Sequence, residues 1–476
     1  VGLAWIAYRE MTGILCNDIH SKLNPTRVAR VLRPASEAAV VAALKEAARE
    51  GMAVSICGAR HAMGGQQFGE GTLLLDLSGL TSLGELDHEH GTIEAGAGIK
   101  WPELIEGLHA RQVGEEVVWS IRQKQTGADD LTLGGSLAAN IHGRGLNLCP
   151  IIGDVESFTL VDAAGEVRRC GRGENVELFR LAIGGYGCFG VITSVCLRLA
   201  PRIKLERLVE VTTIDRLMPS LEQRMEDGCL FGDFQFSIDE RSPDFLCRGV
   251  LSSYRPVAPD REMPEGREEL ERHHWEELIR LAHDDRAKVF EVYSSFYLRT
   301  RGALYWSDTH QLSVYLEDYH SQLDHECGTE VPASEMISEL YVPRDRLVGF
   351  MAAAAEQLRD GAVPVIYGTV RLIRRDEESF LAWAREDFAC VIFNLHTEHS
   401  EAGIATAAEA FRALIDLALS FGGSFFLTYH RWARRDQIER AYPRFAEFLR
   451  AKDAHDPDAR FQSEWWRHYR ELFKMP

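Results

Sequence analysis

The chain has 476 residues, and 53 Lys and Arg stand against 72 Asp and Glu for a formal net charge of −19. A field of that sign repels phosphate backbones and anionic lipid, so nucleic-acid binding is excluded, while 45% hydrophobic residues, 26% charged residues and 40 glycines exclude disorder and collagen-like repeats. No run approaches the roughly eighteen apolar residues of a bilayer-spanning helix, and ten cysteines scattered without a CxxC pair read as buried reduced thiols rather than as a disulfide framework.

Residues 1–8 are apolar but carry no basic leader or cleavage pattern, so the expectation is a soluble, cytoplasmic chain without a membrane span. Residues 27–32 read as a strand, and Ser36 caps a helix carrying Ala38, Val40, Val41, Leu44 and Ala47 up to Gly51. Residues 54–57 form a strand that enters the loop Gly58, Ala59, Arg60, His61, Ala62, Met63, Gly64, Gly65. A strand at 72–77 and a helix at 102–111, with Pro102 at its first position, come next. From 131 to 199 short strands alternate with glycine clusters at 134–135, 142–145 and 184–190.

The glycine clusters stop at Pro201, where a second region opens with a charged helix over 265–286. Helical spacing recurs at 346–358 and 404–421, and strands are expected at 365–373 and 389–396. The tail from 442 is rich in aromatic residues, among them Phe445, Phe448, Phe461, Trp465, Trp466 and Tyr469, and is too apolar to stay free.

Residues 185–190 match GxGxxG, but alternating Val191, Thr193, Val195, Leu197 and Leu199 announce a strand after it, not the helix that a Rossmann fold requires. The loop at 58–65 follows a strand and can turn successive N–H groups inward around a pyrophosphate. The segment 126–143 adds hydroxyls and small residues on which a flat ring can lie. Three such clusters point to one large, phosphate-bearing cofactor.

The motif Arg33-Pro34-Ala35-Ser36, the loop 58–65, the run 131–143 and the run 178–193 occur in the order seen in the vanillyl-alcohol oxidase superfamily, which this chain resembles over about residues 25 to 200. The resemblance implies an α+β fold: a two-subdomain FAD-binding domain of the p-cresol methylhydroxylase type at 20–202, and an α+β substrate domain on an antiparallel sheet at 203–425. A segment at 426–476 would then return to the FAD domain. Residues 141–144 with 153–157 are similar to decaprenylphosphoryl-ribose oxidases, and 442–445 with 456–461 are similar to those enzymes and to aldonolactone and alditol oxidases. Implied is an FAD-dependent oxidase or dehydrogenase moving a hydride from a CH–OH carbon of a sugar, lactone or polyol to flavin, with oxygen or another acceptor. A hydroxy acid, amine or C=C substrate on the same fold, or a flavin-holding module without turnover, stays open.

The cofactor residues carried over are Gly58, Ala59, Arg60, His61, Ala62, Met63, Gly64, Thr126, Gly127, Thr132, Gly134, Gly135, Ala138, Asn140, His142, Gly190 and Ile192. His61 stands where many superfamily members bond flavin covalently; attachment and simple packing both stay open. His142 and Arg144 would face flavin and substrate, although a histidine satisfied by backbone and a surface arginine are the bland readings. Thr369-Val370-Arg371 keeps the arginine of the sugar-alcohol oxidases and lacks their acid. Asn394, His396 and Glu398 share one strand face. Tyr429 stands where the related ribose oxidases carry a lysine, about thirteen residues before Tyr442, and Tyr429 or His430 is the expected base, His430 being the better acceptor near neutrality.

Overall fold

The computed structural model describes residues 13–264, 270–313, 316, 319–359, 361 and 363–475; the apolar start at 1–8 and the first residues of the charged segment at 265 lie outside them. The amino-terminal part holds a three-stranded and a six-stranded sheet beside a two-stranded pair. In the three-stranded one, Leu73–Asp76 is flanked in parallel by Arg30–Leu32 and Val54–Cys57. Parallel neighbours need a crossover, and the helix Glu37–Arg49 supplies it. Ser36 Oγ accepts from Ala39 N at its start, and Val40, Ala43, Leu44 and Ala47 form the buried face that packs on Val54, Leu73 and Leu75. The strand expected at 27–32 is two strands. Thr26–Val28 pairs antiparallel with Ile14–Cys16, Ala29 donates to Thr72 O, and only Arg30–Leu32 joins the parallel sheet.

The larger amino-terminal sheet runs Val167–Gly171, Val155–Val161, Val191–Pro201, Thr92–Gly96, Leu83–Asp87, all antiparallel, with Trp119–Ile121 on the far end of the central strand. The glycine cluster before Val191 therefore leads into a strand. Gly190 has φ +151°, and a Cβ there would stand 2.6 Å from Leu160 Cδ2, so the residue is glycine for space as well as for conformation. Residues 133–139 depart from the expected strand texture: Leu133–Ala139 is a helix. Two glycines make it a poor helix by propensity. Packing overrides this, because a Cβ on Gly134 would meet Ala97 Cβ at 2.8 Å and the helix could not seat so close to the sheet.

The second part is built on one eight-stranded antiparallel sheet in the order Leu304–Trp306, Lys204–Thr213, Arg248–Pro256, Phe231–Phe236, Val365–Ile373, Phe388–Glu398, Ala333–Pro343, Ser424–Phe425. One face packs on the helices Ile214–Glu226, Leu347–Arg359 and Glu401–Ser420. The other receives Arg272–Asp284 and Arg286–Arg299 over Val209 and Val250. The charged helix expected over 265–286 ends at Asp284, where Asp285 caps the next helix by accepting from Lys288 N.

The carboxyl-terminal residues run back across both parts. Phe461 bridges Val54 in parallel, with Val54 N donating to Arg460 O at 2.7 Å. The helix Glu464–Leu472 buries Trp465, Trp466 and Tyr469, and Trp465 stacks on Tyr186 at 4.6 Å between centroids. Lys452 is fully buried and tolerates it because Asp456 faces it, a carboxylate that also accepts from Arg460 N and Phe461 N. Among the described residues, nine cysteines, from Cys16 to Cys390, are free thiols. Among the described residues no helix is long and apolar enough to cross a membrane.

Candidate functional site

A cavity of about 750 Å³ lies between the glycine-rich loops of the first part and the sheet face of the second. Its floor carries Gly58 to Ala62, Thr126, Gly127, Thr132, Gly134, Gly135, Ala138, Gly190 and Ile192, all named from sequence. The floor pieces touch one another: a Cβ on Gly58 would stand 2.1 Å from Thr132 Oγ1. Met63, Gly64, Asn140 and His142 do not line it. Met63 is buried, its carbonyl accepting from Asn24 Nδ2 at 2.8 Å, and Gly64 lies against Thr428 O. Asn140 ends the helix Leu133–Ala139 in the left-handed region, φ +52°, and its amide donates to Asp376.

The floor fits an elongated dinucleotide bearing a flat ring. Ala59, Arg60 and Ala62 have backbone N–H groups with no acceptor among the described residues, which suits an anion held by amides rather than by lysines. Gln66 Oε1, Gln67 Oε1 and Thr126 Oγ1 are buried polar atoms on the lining without a protein partner, and such atoms are expected where a ligand completes the site. Glycines and alanines keep side chains out of the space between. Residues 58–62 and 126–138 would hold such a group. His61 sits among them, its Nδ1 2.8 Å from His20 Nε2, and burial lowers its pKa to about 4.

Strand alternation determines what the sheet presents from above. The registers Gln235↔Thr369, Thr369↔Ile392 and Ile392↔Glu339 place four strands in step. Asp233, Tyr367, Arg371, Asn394, Glu335 and Glu339 therefore share the face that opens on the cavity, and all six line it. Thr369 lies on the same face but is buried beneath it. Where Thr369 offers no acid, a carboxylate stands on the same face two strands away, at Glu339.

Glu339 is 3% exposed and surrounded by donors. His142 Nε2 is 2.6 Å from its Oε1, while His142 Nδ1 is 3.0 Å from Gly143 O; Tyr341 OH donates to the same carboxylate oxygen. Burial alone would raise the Glu339 pKa, but His142, the bond from Tyr341 and the Arg371 guanidinium outweigh it and hold the carboxyl below its ordinary value. His142, expected over the flavin, is therefore a buried partner behind Glu339. Arg144 lines the cavity and is half-buried rather than a surface charge, 3.4 Å from Asp233 and donating to His310 O.

Tyr429 also lines the cavity, accepting from Gln125 Nε2 at 2.9 Å. Burial, with the Glu339 charge beside it, raises its pKa well above the ordinary tyrosine value, so it is a hydrogen-bond donor and not a base at neutral pH. His430, expected as the proton acceptor, points elsewhere. It is enclosed by Phe411, Phe425 and Trp432, accepts weakly from Trp432 N, and burial lowers its pKa to about 3. His396 does not reach the lining either; its Nδ1 turns to Glu335 at 3.3 Å, and Glu398 at the strand end is exposed.

Sequence reading missed Gln125, Asp233, Glu335 and Glu339. One signal was available: in Ala333–Pro343 the two glutamates, the only charged residues of the strand, fall on the same parity as Ile337, a pattern that core packing does not explain.

Residues 28–171 match the family described as FAD binding domain. Among known proteins, the chain is 22% identical to L-gulono-1,4-lactone dehydrogenase of Mycobacterium tuberculosis over 437 residues, 92% of this chain and 95% of that protein. It is 27% identical to decaprenylphosphoryl-beta-D-ribose oxidase of Mycolicibacterium smegmatis over 177 residues, 37% of each chain. It is 30% identical to cytokinin dehydrogenase 10 of Oryza sativa subsp. japonica over 176 residues, 33% of this chain and 29% of that protein.

The setting of His430 makes a prediction about acid stability. Its folded pKa, about 3, lies below the 6.5 of the unfolded chain, so the unfolded state binds the extra proton and stability falls as pH drops from 6.5 toward 3. Replacing His430 by Phe is expected to flatten the stability-against-pH slope in that window by about 1.4 kcal/mol per pH unit. Urea denaturation at pH 4.5, 5.5 and 7.5 checks it.

Proposed function

The chain is an FAD-dependent oxidoreductase whose residues 28–171 carry the FAD-binding domain, and we propose that its electron donor is a CH–OH carbon of a sugar, sugar lactone or polyol. The observation that carries this reading is the presence of Glu339 and Arg371 together on the sheet face above the floor, close enough for the guanidinium to lower the carboxyl's pKa. An ionised carboxylate and a guanidinium that share a wall with Asn394 and Asp233 form a donor and acceptor lattice suited to several hydroxyl oxygens at once. The relative that aligns over most of the chain bears the name of a sugar lactone.

Bound FAD supplies the hydride acceptor. Glu339 takes the hydroxyl proton of the donor at Oε2, since Oε1 is engaged by His142 and Tyr341. Its lowered pKa keeps it in the accepting form throughout the neutral range. His142 keeps the carboxylate in one orientation through the contact between its Nε2 and Oε1. Arg371, whose Nε has no protein partner among the described residues, binds a donor oxygen, and Tyr429 donates toward the same space. The apolar wall of Trp275, Ile279, Tyr293 and Phe296 excludes water from the side opposite the floor.

His61 is the proposed point of covalent flavin attachment. The support is its place on the floor and its neutral ring, since a neutral imidazole retains the lone pair that bonding needs.

Replacing Glu339 by Gln is expected to lower kcat on the order of 10²- to 10⁴-fold while flavin stays bound, and replacing Arg371 by Ala to raise KM more than it lowers kcat. Steady-state kinetics with a sugar lactone and an alditol, alongside the flavin absorbance of each variant, checks both. In acid precipitation, the yellow colour of the native chain is expected to stay with the pellet, and that of His61→Ala to pass into the supernatant.

A further inference from the structure

Beyond the donor pocket, four side chains from four elements meet at the cavity wall around Glu335, two imidazoles at one carboxylate oxygen and the third, beside the donating Tyr319 hydroxyl, at the other. Glu335 lies on Ala333–Pro343, His396 directly opposite it on Phe388–Glu398, His283 on the helix Arg272–Asp284, and His320 on the helix Tyr319–Cys327. His283 Nε2 is 3.1 Å and His396 Nδ1 3.3 Å from Glu335 Oε1, and His320 Nδ1 is 2.9 Å from Oε2. Glu335 and His320 line the cavity. The proton acceptor proposed above is a different glutamate, so this cluster has no part in the oxidation as derived.

Three imidazoles and one carboxylate are the donor set of a zinc ion or a first-row neighbour. The ligand atoms of His283, Glu335 and His396 all lie within 4.8 Å of one another. A tetrahedral ion with bonds of about 2.0–2.1 Å separates neighbouring ligand atoms by about 3.3–3.4 Å. The 3.1 and 3.3 Å nitrogen–oxygen distances are close to that edge. The outer support of a ligand is present too: His283 Nδ1 is 2.9 Å from Ile279 O, a carbonyl that can hold the ring proton at Nδ1 when Nε2 gives up its own to an ion.

We propose that His283, Glu335 and His396, with His320 as the fourth ligand, bind one divalent transition-metal ion in the wall of the donor cavity. The ion would pin the helices Arg272–Asp284 and Tyr319–Cys327 to the sheet and offer a Lewis-acid face to an oxygen-bearing ligand. The proposal does not depend on which donor the enzyme oxidises.

The test uses the flavin-loaded full chain, stripped with a chelator and dialysed. Titrated with Zn²⁺ in a calorimeter and assayed for metal by mass spectrometry after gel filtration, it is expected to take up one equivalent per chain. Glu335→Gln and His396→Gln should each lower the retained zinc at least tenfold at unchanged flavin content, whereas His273→Ala, at an exposed position on the helix that carries His283, should retain it. The proposal is overturned if Zn²⁺, Co²⁺ and Mn²⁺ all fail to bind stoichiometrically, or if uptake survives both ligand substitutions. Should a variant lose flavin, the native-chain titration decides alone.

Discussion

Glu339 and His142 are separated by 197 positions in sequence and by 2.6 Å in space, and both are almost withdrawn from water. A carboxylate in such a place is costly unless donors surround it, and one partner removed would leave an uncompensated charge. The bond is also the joint of the molecule. His142 follows the helix that forms the cofactor floor, and Glu339 belongs to the sheet that covers it. One contact therefore positions floor against cover and keeps an acceptor ionised between them. Tyr341 and Tyr429 add donors around the same carboxylate, and Tyr429, with a proton to give at neutral pH, stands where the related ribose oxidases carry a lysine.

The sheet translates that joint into a surface. Four antiparallel strands in register bring Asp233, Arg371, Asn394 and Glu339 to one face, although they are far apart in sequence. A slip of one residue in any strand would turn its polar side chain to the packed helices on the other side. The same register opposes Glu335 to His396 one step along, where the imidazoles of two helices join them.

Much of the floor was legible because its signals are local. Ser36 before an amphipathic run, glycines after a strand and alternation after Gly190 each state a backbone conformation within a few residues, and the structure realises them. The helix at Leu133–Ala139 was illegible by the same logic: two glycines argue against a helix, and only Ala97, pressed against Gly134, accounts for it. The upper wall was illegible for a different reason. Nothing near Thr369 reveals that a carboxylate stands two strands away, since strand order is a non-local property. The choice between Tyr429 and His430 turned on which of two adjacent side chains faces inward. Phe411 and Trp432 decide it by enclosing the imidazole.

In the proposed function, one cavity holds flavin against a hydroxyl-bearing carbon of an oxygen-rich donor. Anaerobic mixing of the purified protein with a panel of lactones, alditols, hydroxy acids and amines, followed at the flavin absorption maximum, tests it most directly. Rapid bleaching by lactones or alditols, with no response to amines, is the predicted result. Bleaching by amines or hydroxy acids alone, or a flavin that no member of the panel reduces, would contradict it.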